Sequence, residues 1–324
     1  MLSLLKNKNS PMFTPLSKKL KGLTELKTLD PSINELAALL IGEKDVIYTN
    51  FLPADKKYLE KICRAFKLKY SFLPKRHYEP TQMDGLRNML VSKSQSAIAN
   101  AQKAWENTLS LEWGLALGYP ECCVRAYQDW NHNFMGEKDL IHYTFERTKR
   151  NREPFSFCLN NISNFFSRLC TKEKDRSPSK KTLADFSKIA KKNSAPNLPT
   201  PLPIITWHPC SYRCDKSLKV GQKVYDFLKE YAPDFAQERK ELLSRPIVHF
   251  DKFEFLTLDN PRIKYQKTAQ NISFSKITPP YSVLETNDKI SKKQLTLKDD
   301  LFVGANFPLS IKPGHPAIFL DFSG

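Results

Sequence analysis

The sequence predicts a mixed α+β protein: a small α/β unit, a helical centre that bears cysteines, and a β-rich C-terminal tail. Three observations predict it. Two short runs of strand-forming residues, near 45 and 68, flank a stretch with helical spacing. Apolar residues then recur at helical spacing up to about residue 170, and again from 214 to 243. After Pro246 the period falls to two, as in a half-buried antiparallel strand.

Taken in order, residues 1–30 are rich in Lys, Ser, Thr and Pro and read as an N-terminal arm. Asp30-Pro31-Ser32-Ile33-Asn34-Glu35 reads as a helix start, with Pro31 in the first turn, and the helix runs to about Leu40. Asp45–Asn50 reads as a strand. Tyr58, Leu59, Ile62, Cys63 and Phe66 mark a helix over 54–67, and Leu68–Leu73 alternates as a second strand ended by Pro74. Strand, helix and strand at this spacing predict a βαβ unit with parallel pairing. Residues 82–118 read as mostly helical, capped by Gly118, with Tyr119-Pro120 turning the chain.

A helix from Pro120 or Glu121 carries Cys122, Cys123, Ala126, Tyr127 and Trp130. Others are expected over Lys138–Thr148 and Pro154–Cys170. Residues 171–203 are charged, then proline-dense, and read as an exposed basic insertion with one short helix over 182–191. Ile204–Trp207 reads as a strand, and Cys214–Ala232 and 233–243 as helices. Tail strands are expected at Val248–Leu256, Ile263–Gln266, Ile272–Phe274, Leu301–Val303 and Ala317–Phe322. The expected organisation is an arm (1–30), a mixed cysteine-motif domain (31–245, insertion 171–203) and a small β-rich domain (246–324).

Composition narrows the function classes. With 40% hydrophobic and 11% aromatic residues, the chain can build a core and is not disordered as a whole. No run of about 18 apolar residues predicts a membrane span. The N-terminus lacks the charged-then-apolar order of a signal peptide, so a cytoplasmic location is expected. The net charge is +17, carried mainly by lysines spread along the chain. That charge suits RNA or another anionic partner, although lysine makes point contacts rather than the planar bidentate contacts of arginine. The sequence carries no Walker loop, dinucleotide fingerprint, Gly-x-Ser-x-Gly or kinase signature, and its 10 glycines leave little for a phosphate cradle.

Seven cysteines in a cytoplasmic chain argue against a disulfide framework. Cys63, Cys158 and Cys170 stand alone among apolar neighbours and read as small buried hydrophobes. The other four fall in two groups, Cys122-Cys123 and His208-Pro209-Cys210-x3-Cys214. Pro120 places the first pair in the opening turn of a helix, where free N–H groups and the helix dipole favour a thiolate. Adjacent helical residues point about 100° apart, so Cys122 and Cys123 are not expected to grip one small ion by themselves. Pro209 holds His208 extended, which sets His208 and Cys210 on one side; Cys210 and Cys214 share a face if the helix includes both, and converge at the helix mouth if Cys210 lies in the loop. Thiolates and imidazole are ligands of zinc and of iron–sulfur centres.

The pairing of Leu117-Gly118-Tyr119-Pro120-x-Cys122-Cys123-Val124 with the later His208 motif resembles an uncharacterised prokaryotic domain-of-unknown-function family. That family joins Leu-Gly-Tyr-Pro-x-Cys-Cys-Val to an Asn-containing segment and to His-x-Pro-Cys-Ser-x-x-Cys. Leu159-Asn160-Asn161 resembles the middle element, and His208, Pro209-Cys210-Ser211, Cys214 and Ser217 resemble the last, over residues 110–232. Here His208 directly precedes Pro209, one residue later than in the family pattern. The resemblance implies one site and no particular reaction.

Three functional readings follow. In the first, Cys122, Cys123, Cys210 and Cys214 converge on a zinc ion or an iron–sulfur cluster, with His208 as ligand or neighbour. In the second, a structural zinc stabilises a non-enzymatic module whose basic surface meets RNA or another anion. In the third, Cys122 or Cys123 pairs with Cys210 or Cys214 in thiol redox chemistry.

Overall fold

Helix α1 (Ser32–Ile41) begins directly after Pro31 and buries Leu36, Ala37, Ala38 and Leu39. The computed structural model describes residues 32–73, 87–162 and 203–251 with breaks of one to three residues, then separate strands between 254 and 302, and residues 318–324. The N-terminal arm, Cys170 and nearly all of the basic insertion, including the helix expected over 182–191, lie outside the described residues.

Strand β1 (Val46–Phe51), helix α2 (Lys56–Ala65) and strand β2 (Lys69–Leu73) form as the sequence predicts. The expected direct pairing of β1 with β2 does not. Strand β3 (Arg87–Ser92) lies between them and is antiparallel to both, so β1 and β2 run parallel without touching. Residues 87–92 had read as helical because β3 is the central strand. Asn88 to Ser92 are all buried, so no alternation marks them as a strand.

Helices α3 (Gln95–Glu106), α4 (Ser110–Ala116), α5 (Glu121–Asn133) and α6 (Leu140–Glu146) follow. Ser94 caps α3 by accepting from the Ala97 N–H, and Asp139 caps α6 by accepting from the Ile141 N–H at 2.8 Å. The α4–α5 joint has a defined geometry: Tyr119 N–H donates to Gly114 C=O, and Gly118 N–H to Leu115 C=O. This is the paired C-terminal cap that needs a left-handed residue, and Gly118 supplies it at φ +76°. A Cβ there would also meet the Lys44 Cα at 3.2 Å. Gly118→Ala is expected to cost about 1–2 kcal/mol from the left-handed backbone alone, read as a lowered urea midpoint with unchanged slope.

The helix expected from Pro154 onward is replaced, over the described residues to 162, by one 3-10 turn at Phe157–Leu159 between extended segments. Non-local partners take the backbone there: Phe155 N–H donates to Asp321 C=O, and Gly324 N–H to Phe155 C=O. Asn160 accepts from the Ile162 N–H and donates to Leu243 C=O. Helices α7 (Asp215–Tyr231) and α8 (Pro233–Leu243) stand where the spacing places them. The main core joins α1, α2, β1, β3, the 3-10 turn, α7 and α8 through residues such as Leu39, Cys63, Met89, Cys158, Leu228 and Leu243.

After residue 246 the described chain, up to Leu320, is strands joined in one antiparallel sheet: β4 (Ile247–Asp251), β5 (Glu254–Asp259), β6 (Arg262–Tyr265), β7 (Gln270–Ser273), β8 (Lys276–Thr278), β9 (Gln294–Lys298), β10 (Leu301–Phe302) and β11 (Ile318–Leu320). The strand order is β6-β7-β9-β10-β11-β4-β5-β8. The single strand expected over Val248–Leu256 is a hairpin of β4 and β5. Ile247 and Ile318 pack with Ile141 and Phe145 of α6 and with Tyr212. No helix among the described residues is long and apolar enough to cross a membrane.

Candidate metal centre

The segment 203–214 carries two of the four clustered thiols and is irregular; the strand expected at Ile204–Trp207 does not form. Side chains from elsewhere hold its carbonyls instead. Asn34 donates to Pro203 C=O at 2.6 Å, Asn161 to Trp207 C=O at 3.1 Å, and Thr144 to Pro209 C=O at 3.3 Å. Tyr212 N–H donates to the Thr148 hydroxyl. The Thr206 hydroxyl donates to Glu35, whose other oxygen accepts from Lys44 Nζ at 2.5 Å. Buried backbone needs such partners, and a ladder-free segment takes them from side chains.

This scaffold brings two helix N-termini together. Cys122 and Cys123 lie in the first turn of α5, and Cys214 is the residue before α7. The Sγ atoms of Cys122 and Cys123 are 3.9 Å apart, those of Cys122 and Cys214 3.8 Å, and those of Cys123 and Cys214 3.7 Å. Cys210 completes the group, with all four sulfurs within 4.8 Å of one another. The expected convergence of Cys122, Cys123, Cys210 and Cys214 is therefore found. Rotation about the side-chain bonds turns both sulfurs toward the mouth of α7, despite the 100° between their Cα directions. His208, the fifth predicted site residue, is half-buried beside Pro209 and does not belong to this sulfur group.

Cys123 is buried, as is Cys214, while Cys122 and Cys210 are partly exposed. Cys123 Sγ accepts from Cys210 N–H at 3.2 Å and lies 3.1 Å from the Ser217 hydroxyl. Trp207 Nε1–H donates to that hydroxyl oxygen at 2.9 Å, which leaves the Ser217 proton to point at the sulfur. Two donors thus stand ready for a thiolate on Cys123. Tyr119 and Trp207, with ring centroids 5.3 Å apart, wall the cluster. Trp113 packs instead with Tyr48 and Trp105, and Trp130 donates to Lys138 C=O. Arg213 is engaged with the Glu153 carbonyl and the Phe155 ring.

Without a cation, so dense a group of thiols holds little negative charge. What it holds settles on Cys214, lowered by hydrogen bonds from Cys123 and Cys210. Cys123 is raised by its hydrogen bonds to Cys210 and Cys214 and by burial. For Cys210 the bond with Cys123 lowers the value, but the bond with Cys214, burial and the Cys214 charge push it up to about 12. A divalent cation reverses this balance by ionising its ligands. The isolated thiols behave as the sequence predicts: Cys63 and Cys158 are buried, and burial pushes them up to about 11 and about 12.

Asn160 and Asn161 were legible only through the family resemblance. Asn34, Thr144, Thr148 and the Glu35–Lys44 pair were not, although buried polar residues on otherwise apolar helix faces are their one sequence signal. His249 is fully buried on its strand and lies 2.6 Å from Asp139 Oδ2. No family model, no curated protein and no solved structure matches the chain.

Proposed function

We propose that this chain is a zinc-binding protein in which Cys122, Cys123, Cys210 and Cys214 hold one ion as a closed four-thiolate site. The observation that carries the reading is the set of sulfur separations. Four thiolates about 2.3 Å from one zinc stand about 3.8 Å apart at the corners of a tetrahedron. The separations among Cys122, Cys123 and Cys214 are 3.7, 3.8 and 3.9 Å, and Cys210 lies within 4.8 Å of all three. An iron–sulfur cluster places irons and sulfides between its cysteines and spreads their sulfurs further. A closed four-ligand set has no open position for substrate, which favours a structural role. That role suits the site: the ion would tie the mouths of α5 and α7 to a segment with no ladder of its own. His208 lies outside the ligand set in this reading.

Elemental analysis of the full chain, purified without added metal, is the test. One zinc per chain and no visible absorbance is the expected result. Iron with inorganic sulfide, or no metal at all, would overturn it. Affinity should also fall as pH falls. Cys123 and Cys210 hold their protons at neutral pH in the metal-free cluster and must release them to bind. Those two protons alone weaken binding by at least about 100-fold per pH unit, measurable by competition with a chromophoric chelator.

A further inference from the structure

A second cluster of metal-ligating side chains lies where α6 meets β4. Asp139 precedes α6 and His142 follows it by three residues, so both face the same side of that turn. His249 comes from β4, between the pairings of that strand with β11 and β5. His249 Nε2 is 2.6 Å from Asp139 Oδ2, and His142 Nδ1 is 3.9 Å from the same oxygen. The two imidazole centroids are 5.1 Å apart. One donor atom from each of the three residues falls within 4.8 Å of the others. The side chains of Asp139, His142 and His249 are 9%, 6% and 0% exposed. Apolar residues of the adjoining core, Ile141 and Ile247, flank them in sequence.

The geometry points to a second divalent-metal site, built on Asp139, His142 and His249 and suited to a first-row transition ion. One carboxylate oxygen satisfies one imidazole. A second imidazole on that same oxygen, in an apolar surround, has no use as a second cation, because burying two positive rings against one carboxylate is costly. Two neutral imidazoles and one carboxylate are instead a recurring three-ligand set for such an ion, with water in the remaining positions. Zinc bonds of about 2.0–2.2 Å put tetrahedral donors roughly 3.4 Å apart, so the shorter distance need lengthen by roughly 0.8 Å and the longer shorten by roughly 0.5 Å. The backbone supports the placement. Asp139 Oδ1 is already fixed by the Ile141 N–H, which leaves Oδ2 to face the histidines. The β4–β5 register shifts between His249 and Asp251, a bulge that aims a side chain away from the regular pleat. The donors differ from those of the thiolate site, so the two can be read separately.

The test is cobalt(II) titration of the metal-free full chain. Wild type should take two equivalents, one with a thiolate-to-cobalt band in the near ultraviolet and one with only weak visible bands. Asp139→Asn keeps an oxygen for the α6 cap and should lose the second equivalent while the thiolate band stays; His249→Gln should do the same. A single equivalent bearing the thiolate band in wild type would overturn the site. So would a thiolate-free equivalent that survives in Asp139→Asn, which decides the matter if His249→Gln does not fold. A single thiolate-free equivalent that Asp139→Asn abolishes would uphold this site and sink the four-thiolate reading.

Discussion

Cys214→Ser and a strong chelator should each lower the stability of the chain by several kcal/mol, and the chelator should then do nothing more to the variant. Structural zinc in small modules binds with an apparent 10–16 kcal/mol, roughly, near neutral pH. That is as large as the whole stability of an ordinary domain, about 5–15 kcal/mol. Much of the ordering between residues 203 and 214 would rest on it, since that segment has no strand or helix of its own. For domains of this size each kcal/mol moves the melting temperature by about 2–4 °C. The effects should fail to add, because both treatments remove one interaction. Cys63→Ser, which alters a buried thiol outside the cluster, should keep the full response to chelator. Melting curves with and without chelator decide the point; a wild-type curve indifferent to chelator would refute the zinc reading.

Glu35→Ala should be the most damaging change outside the cysteines, at about 3–5 kcal/mol. Its carboxylate bonds Lys44 Nζ at 2.5 Å, with the two side chains 6% and 0% exposed. It also accepts from Thr206 in the irregular segment. The Lys44 ammonium sits 4.6 Å from the Tyr119 ring and 5.9 Å from that of Trp207, the two rings that wall the thiols. Removing the carboxylate leaves a cation in a buried place and frees the Thr206 anchor. Replacing both partners, Glu35→Leu with Lys44→Met, should recover most of the loss, because no uncompensated charge remains. Urea unfolding of the two variants measures the difference, and a double variant no better than Glu35→Ala would show that the charge pair itself is not the cause. Any metal held by the thiols should be released faster in Glu35→Ala, since Lys44, which lies over the Tyr119 and Trp207 rings, loses its carboxylate anchor.

Legibility in the sequence followed physical lines. Elements with a half-buried face announced themselves. The period of α7 and α8, the capping Gly118 and the alternation after Pro246 all report a boundary between core and solvent. Where that boundary is missing, the pattern fails. Strand β3 is buried along nearly its whole length and reads as helix, and Phe157–Leu159 carries apolar residues at helical spacing while its neighbours pair with the C-terminus. Residues 204–207 read as a strand because they are apolar, yet Asn34, Asn161 and Thr206 fix them without a ladder.

The site divides in the same way. By itself the sequence singled out the four thiols that the fold brings together, because they fall in two tight groups and Pro120 marks a helix entry, where a cysteine is placed for ionisation. It also set apart Cys63 and Cys158 as core. Only the tertiary structure decided that thiols 91 and 92 residues apart come within 3.7 and 3.8 Å of one another, that His208 is outside the sulfur group, and that Asp139, His142 and His249 meet. Those contacts join segments distant along the chain, and a side chain's local periodicity holds no record of the partner that long-range packing brings to it.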